Sequence, residues 1–178
     1  MQILKRAIAG DRVAFDQIML RYERRVFATA LRLLGRRQDA QDAAQEVFLR
    51  LYRFMHRFDE KRALLPWLYR MTVNVCHDLH RRRYQGEGLR VEEAIAASIA
   101  FDPAREIMRM ERRQIIETAL RTLTEKERAA IVLRDIEGLS TKEVAGILGS
   151  SETTVRSQIS LARVKIKRFV DSFEKRHP

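Results

Sequence analysis

Cysteine is almost missing from these 178 residues: Cys76 stands alone, so no disulfide can close within the chain. A single thiol fits a reducing compartment. Proline occurs three times and glycine seven times, which disfavours short strands joined by turns and favours long helices. No apolar run approaches the length that crosses a bilayer. The opening Met1-Gln2-Ile3-Leu4-Lys5-Arg6 lacks the apolar stretch of a signal peptide, which predicts a cytoplasmic protein with no membrane insertion. A Walker loop, a dinucleotide fingerprint, a nucleophile elbow and paired zinc-type cysteines are all absent. These gaps argue against an enzyme and predict neither cofactor nor metal. Within Cys76-His77-Asp78-Leu79-His80, Cys76 and His80 lie one helical turn apart. Two ligands do not make a metal site, and Cys76 falls on the apolar side of its helix.

Positive charge and apolar side chains are plentiful. The chain is 46% hydrophobic and 33% charged, with 35 Lys and Arg against 24 Asp and Glu, a net charge of +11. That composition supports folded cores and suits a polyanionic partner, nucleic acid before a membrane surface. Residues 1–83 hold 18 basic against 9 acidic side chains, and residues 105–178 hold 16 against 11. Between them, residues 84–104 hold one against four. The change of sign, with Gly86, Gly88, Glu92 and Glu93, marks a flexible linker. The expected organisation is all-α, with small helical domains at 1–84 and 105–178 joined by a linker at 85–104.

Leu4, Ala7 and Ile8 begin the first block and stop at Gly10. Asp11 is a plausible N-cap for a helix whose apolar spacing runs from Val13 to Leu34, with Gly35 ending it. A third helix is expected over Asp39–Phe58, burying Ala40, Ala44, Val47, Leu51 and Phe54. A fourth is expected from near Pro66 to Arg83. In the second block a helix over Arg105–Arg121 precedes two capping boxes, Thr124-Glu125-Lys126-Glu127 and Ser140-Thr141-Lys142-Glu143. The helices they open are expected to end before Gly138 and at Gly149. Ser150 or Ser151 then caps a final helix to about Phe173.

The stretch from Leu139 to Ser157 has the pattern of a helix-turn-helix. Ala145 supplies the small residue where the second helix crosses, and Gly149 supplies a left-handed turn position. Val144, Leu148 and Val155 are expected to fill the wedge. At about 100° per residue, Val155, Ile159, Ala162 and Ile166 make one apolar stripe. Thr153, Arg156, Ser157, Ser160, Arg163 and Lys167 make a polar one. Such a stripe near a helix N-terminus suits the major groove, where Arg can meet guanine or phosphate and Ser or Thr either one.

Taken in order, these segments resemble the extracytoplasmic-function (group IV) sigma factors of bacterial RNA polymerase over nearly the whole chain. Leu4-Lys5-Arg6-Ala7-Ile8-Ala9-Gly10-Asp11-Arg12-Val13-Ala14-Phe15 resembles the opening pattern of the family, and Asp39 to Leu49 resembles its region 2.2. Phe58 through Pro66-Trp67-Leu68-Tyr69-Arg70-Met71-Thr72-Val73-Asn74 resembles regions 2.3 and 2.4, and Gly138 onward resembles region 4.2. The resemblance implies a non-enzymatic subunit that binds core polymerase, at the β′ coiled coil and the β flap, and directs it to promoter DNA. Asp42, Gln45, Glu46, Leu49 and Arg53 are then the expected polymerase-binding residues. The Asp59-Glu60-Lys61-Arg62-Ala63 loop would accept an extruded base of the minus-ten element, where a pocket offsets the cost of unstacking. Arg70, Asn74, Asp78 and Arg81 form a polar stripe that would serve the same element. Trp67 and Tyr69 are able to stack on bases, although Trp67 also suits the core. The upstream element would fall to Thr153, Arg156, Ser157, Ser160, Arg163 and Lys167. Family members often carry Arg or an aromatic where this chain has Gln158, Ser160 and Leu161, so its upstream contact set is thin. The resemblance also implies an anti-sigma factor, a partner able to hold the protein at the membrane.

An alternative class is a free-standing helix-turn-helix regulator that binds an operator without polymerase, usually as a dimer. The polar loop and the Asn74 stripe have no role in such a protein, whereas the sigma-factor reading uses both.

Overall fold

A computed structural model describes residues 2–86 and 114–175. Every regular element among them is helical, and the chain divides into two compact units, Met1–Arg90 and Val91–Pro178. The first contains α1 (Gln2–Ile8), α2 (Arg12–Leu34), α3 (Arg37–Phe54) and α4 (Leu64–Gly86). The second contains α5 (helical residues 114–121), α6 (Glu125–Ile131), α7 (Thr141–Leu148) and α8 (Glu152–Glu174). The expected linker at 85–104 lies outside the described residues, apart from Gln85 and Gly86, which are still α4. The helix expected over 105–121 is described only from residue 114.

In the first unit, Asp11 caps α2 by accepting the Ala14 N–H at 3.1 Å. Gly35 ends α2 in the left-handed region, at φ 71°, and its N–H reaches the Leu31 carbonyl. A side chain there would strain the backbone, so glycine makes the stop. α2 packs on α3 and α4. Ala14, Ile18, Val26 and Ala30 on α2 meet a core that includes Ala40, Ala43, Val47 and Leu51 on α3. Ala43 is fully buried while Ala44, the expected core residue, is half-buried.

Two ends differ from expectation. α3 stops at Phe54 and tightens into a 3₁₀ turn at Met55–Arg57 instead of running to Phe58. The tighter winding buries Met55 and leaves His56 and Arg57 outside. α4 begins at Leu64, with Pro66 inside its first turn, and runs past Arg83 to Gly86. Proline is tolerated there because a first-turn N–H has no helical partner. The buried hydroxyls of Thr29 and Thr72 donate to the carbonyls of Arg25 and Leu68, at 2.9 and 2.8 Å, so neither is left unsatisfied in the core.

In the second unit both capping boxes form, Thr124 with Glu127 and Ser140 with Glu143. Arg128 fills carbonyls at the end of α5. Its Nε reaches the Leu120 oxygen at 2.8 Å and Nη2 the Leu123 oxygen at 3.0 Å. α6 widens into a π turn over Val132–Ile136, closed by the Glu137 N–H on the Val132 carbonyl at 2.9 Å.

Candidate functional site

α7 and α8 form the expected helix-turn-helix. Gly149 sits at φ 61°, and the Gly149 and Ser150 N–H groups both reach the Ala145 carbonyl. Ser151, rather than Ser150, caps α8 by accepting the Thr154 N–H at 3.1 Å. Val144, Ala145, Val155, Ile159 and Ala162 are buried; Ile147 is buried too, whereas Leu148 is half-exposed. The wedge therefore uses Ile147 where Leu148 was expected, because α7 turns its Val144–Ile147 edge inward. Thr153, Arg156, Ser157, Ser160, Arg163 and Lys167 are all exposed on α8.

Sequence reading missed three pairings on α8. Arg156 meets Glu152 at 2.8 Å, Arg163 meets Asp135 on the π turn at 2.8 Å, and Lys165 meets Glu127 at 2.8 Å. The first follows helical i, i+4 spacing and is legible in sequence. The other two span 28 and 38 residues and depend on the tertiary fold.

On α3, Asp42, Gln45, Leu49 and Arg53 are exposed, and Glu46 is half-exposed. Leu49 is 58% exposed and Tyr52 53%, so this polar face has two apolar anchors. Tyr52 was not singled out from sequence; it lies edge-on to Phe15, with ring centroids 5.0 Å apart. Arg50 also went unnoticed. Its Nε reaches Glu46 at 2.7 Å, and Nη1 and Nη2 lie 3.4 Å from Asp78 on α4. Arg50 thus ties the α3 face to the α4 stripe, and the carboxylate of Glu46 raises the Arg50 pKa further.

Residues 59–63 are exposed and form a turn that Asp59 organises. The Lys61 N–H donates to Asp59 Oδ1 at 3.0 Å, and the Arg62 N–H to the Asp59 carbonyl at 2.9 Å. Glu60 lies 3.7 Å from Lys5 of α1. Phe58 and Trp67 flank the turn and pack against each other, centroids 4.9 Å apart. Arg70, Asn74 and Arg81 are exposed along α4, and Asp78 is half-exposed. Tyr69 is fully buried, which corrects its reading as a base-stacking residue. Aromatic character alone does not distinguish a stacking platform from a core side chain. Cys76 is buried, and no three His, Cys, Asp or Glu side chains among the described residues could share a metal ion. No helix among them is long and apolar enough to cross a membrane.

The family model for Sigma-70 region 2 matches residues 18–85, and that for Sigma-70, region 4 matches residues 113–166. The RNA polymerase sigma-H factor of Pseudomonas aeruginosa is 33% identical over 174 residues, covering 93% of this chain and 90% of that protein. The ECF RNA polymerase sigma-E factor of Escherichia coli K12 is 32% identical over 173 residues, covering 92% and 90%. Among solved structures, CnrH in complex with the cytosolic domain of CnrY covers 96% of each chain, with a TM-score of 0.69 and 28% identity. The sigma factor RpoE of Bartonella quintana, solved with the anti-sigma factor NepR, shares the fold with a TM-score of 0.73 and 24% identity. That match covers 88% of this chain and 96% of that one. Two regions matched in order, and relatives aligned over nine-tenths of their length, place the chain by descent as well as by shape: it belongs to the extracytoplasmic-function family of RNA polymerase sigma factors.

Proposed function

We propose that this chain binds core RNA polymerase in the cytoplasm, directs it to particular promoters, and performs no catalysis itself. Region 2 falls to residues 1–86, where α4 ends, and region 4 to 105–178. The observation that carries the reading is the pairing of a region-2 match with a region-4 match whose helix-turn-helix presents a polar face. Asp42, Gln45, Glu46, Leu49 and Arg53 would dock on the polymerase β′ coiled coil, and region 4 would meet the β flap. Exposed Leu49 supports that role, because an apolar anchor ringed by charge suits a specific interface. The Asp59–Ala63 turn and the Arg70, Asn74, Asp78 and Arg81 stripe would take the minus-ten element. Asn74 offers both donor and acceptor to a base edge, and the arginines suit phosphates. The exposed face of α8 around Arg156 would read the upstream element, with Arg163 beside it paired to Asp135.

An anti-sigma factor would restrain the protein, and such a partner could hold it at a membrane. The similar CnrH was solved with the cytosolic domain of CnrY, which supports a protein partner of this kind. The test is binding by the purified chain. It should co-migrate with core polymerase and shift promoter DNA only in that company. A chain that shifts DNA alone and ignores core polymerase would instead be a free-standing regulator.

A further inference from the structure

Two of the exposed arginines of α8, Arg156 and Arg163, are separated by nearly two whole turns and are therefore close in azimuth. Each faces a carboxylate, but in different ways. Arg156 meets Glu152 of its own helix through a single guanidinium nitrogen, Nη2 to Oε2 at 2.8 Å. Arg163 meets Asp135 of the π turn with both prongs, Nε to Oδ2 at 2.9 Å and Nη2 to Oδ1 at 2.8 Å. Two parallel charge-assisted bonds fix the plane and direction of a guanidinium, whereas one leaves it able to swing. Arg156 can turn to a base edge or phosphate at small cost. For Arg163 the same move breaks two bonds and leaves a carboxylate near the phosphates.

We propose that Asp135 is a positioning residue: it clamps Arg163 to the turn, keeps that cation off the DNA backbone, and so limits the unit's grip on DNA of any sequence. The proposal rests on the reading of α8 as the helix that enters the major groove. A cation already neutralised by a carboxylate displaces few counterions from DNA, so Arg163 adds little to the salt dependence of binding. Without the Asp135 charge, Arg163 becomes available to phosphate and one repulsive charge disappears. Non-specific affinity then rises, and the ratio of promoter to non-promoter binding falls.

Holoenzyme reconstituted from core polymerase and the full chain provides the test, with binding to promoter and to non-promoter duplex measured across a salt series. Asp135→Asn, nearly isosteric, should steepen the salt slope by about one ion and tighten non-promoter binding several-fold. The double variant Asp135→Asn/Arg163→Gln, which keeps the local net charge of the intact pair, should return to the wild-type slope, because the released cation is gone. A purely structural clamp would leave the slope of Asp135→Asn unchanged, and that outcome overturns the proposal. A slope that flattens by about one ion in the double variant overturns it as well, since Arg163 would then grip DNA directly. Arg156→Ala separates the two levels. If it changes upstream preference or slope while Asp135→Asn changes neither, only the clamp fails. If neither variant changes anything, α8 is not the reading helix, and both ideas fall.

Discussion

Glu127 is a buried acid of the second unit. At 6% exposure, it accepts the Thr124 N–H at 2.9 Å and meets Lys165 Nζ through both carboxylate oxygens at 2.8 Å. The Lys165 hydrogen bond, then those of Thr124, hold its carboxyl below the usual glutamate range against the opposing effect of burial. A lowered folded-state pKa gives stability that is present above the unfolded value, about 4.3, and lost as pH falls through the folded one. Thermal unfolding of Glu127→Gln should therefore show a shallower loss of stability in that acid range. Lys165→Met leaves the buried carboxylate without its ammonium and should cost about 1–3 kcal/mol at neutral pH, read from the same melts. Arg156 makes the corresponding functional prediction. If it meets a guanine, Arg156→Ala should cost about 1–3 kcal/mol and relax preference at one promoter position. Single-base promoter variants measured at two salt concentrations distinguish this from a phosphate contact, which would weaken all promoters alike. The Thr124–Glu127 box was legible because its parts lie three residues apart. Lys165, 38 residues away, was not, and neither was the buried state of Tyr69.

Helix boundaries were easiest to read where a capping side chain or a glycine set them. Asp11, Gly35, Thr124, Ser140 and Gly149 each act at their expected place. Where no such residue intervenes the reading slipped: α3 changes to a 3₁₀ turn at Met55, and α4 continues to Gly86. Apolar periodicity fixes a helix face better than it fixes the last turn, where local hydrogen bonds compete closely. Gly149 tests the helix-turn-helix. A Cβ built there meets nothing within 4 Å, so the cost of Gly149→Ala is conformational, from φ 61°. It should destabilise the unit by about 1–2 kcal/mol, and Gly149→Asn should cost less. On α3, Leu49→Asp should weaken binding to core polymerase while the helical circular dichroism stays intact, because Leu49 faces outward. Exchanging the 59–63 turn for a relative's should alter preference at the minus-ten element and spare the upstream one. An unchanged minus-ten preference would remove the base-accepting role from that turn.

Each unit has its own core and its own polar surface, and the basic excess seen in each half of the sequence suits two contacts with one promoter. The order of the motifs, more than any one of them, made the family legible; side-chain pairings across elements, such as Arg50 with Glu46 and Asp78, required the fold. The central claim is that the chain gives core polymerase a promoter preference it otherwise lacks. Run-off transcription on fragments of the source genome, with core polymerase alone and with the chain added, tests that claim most directly. The account predicts discrete new start sites that appear only with the chain and share spaced upstream and minus-ten elements. Identical transcripts with and without the chain, under conditions where it binds core polymerase, would contradict it.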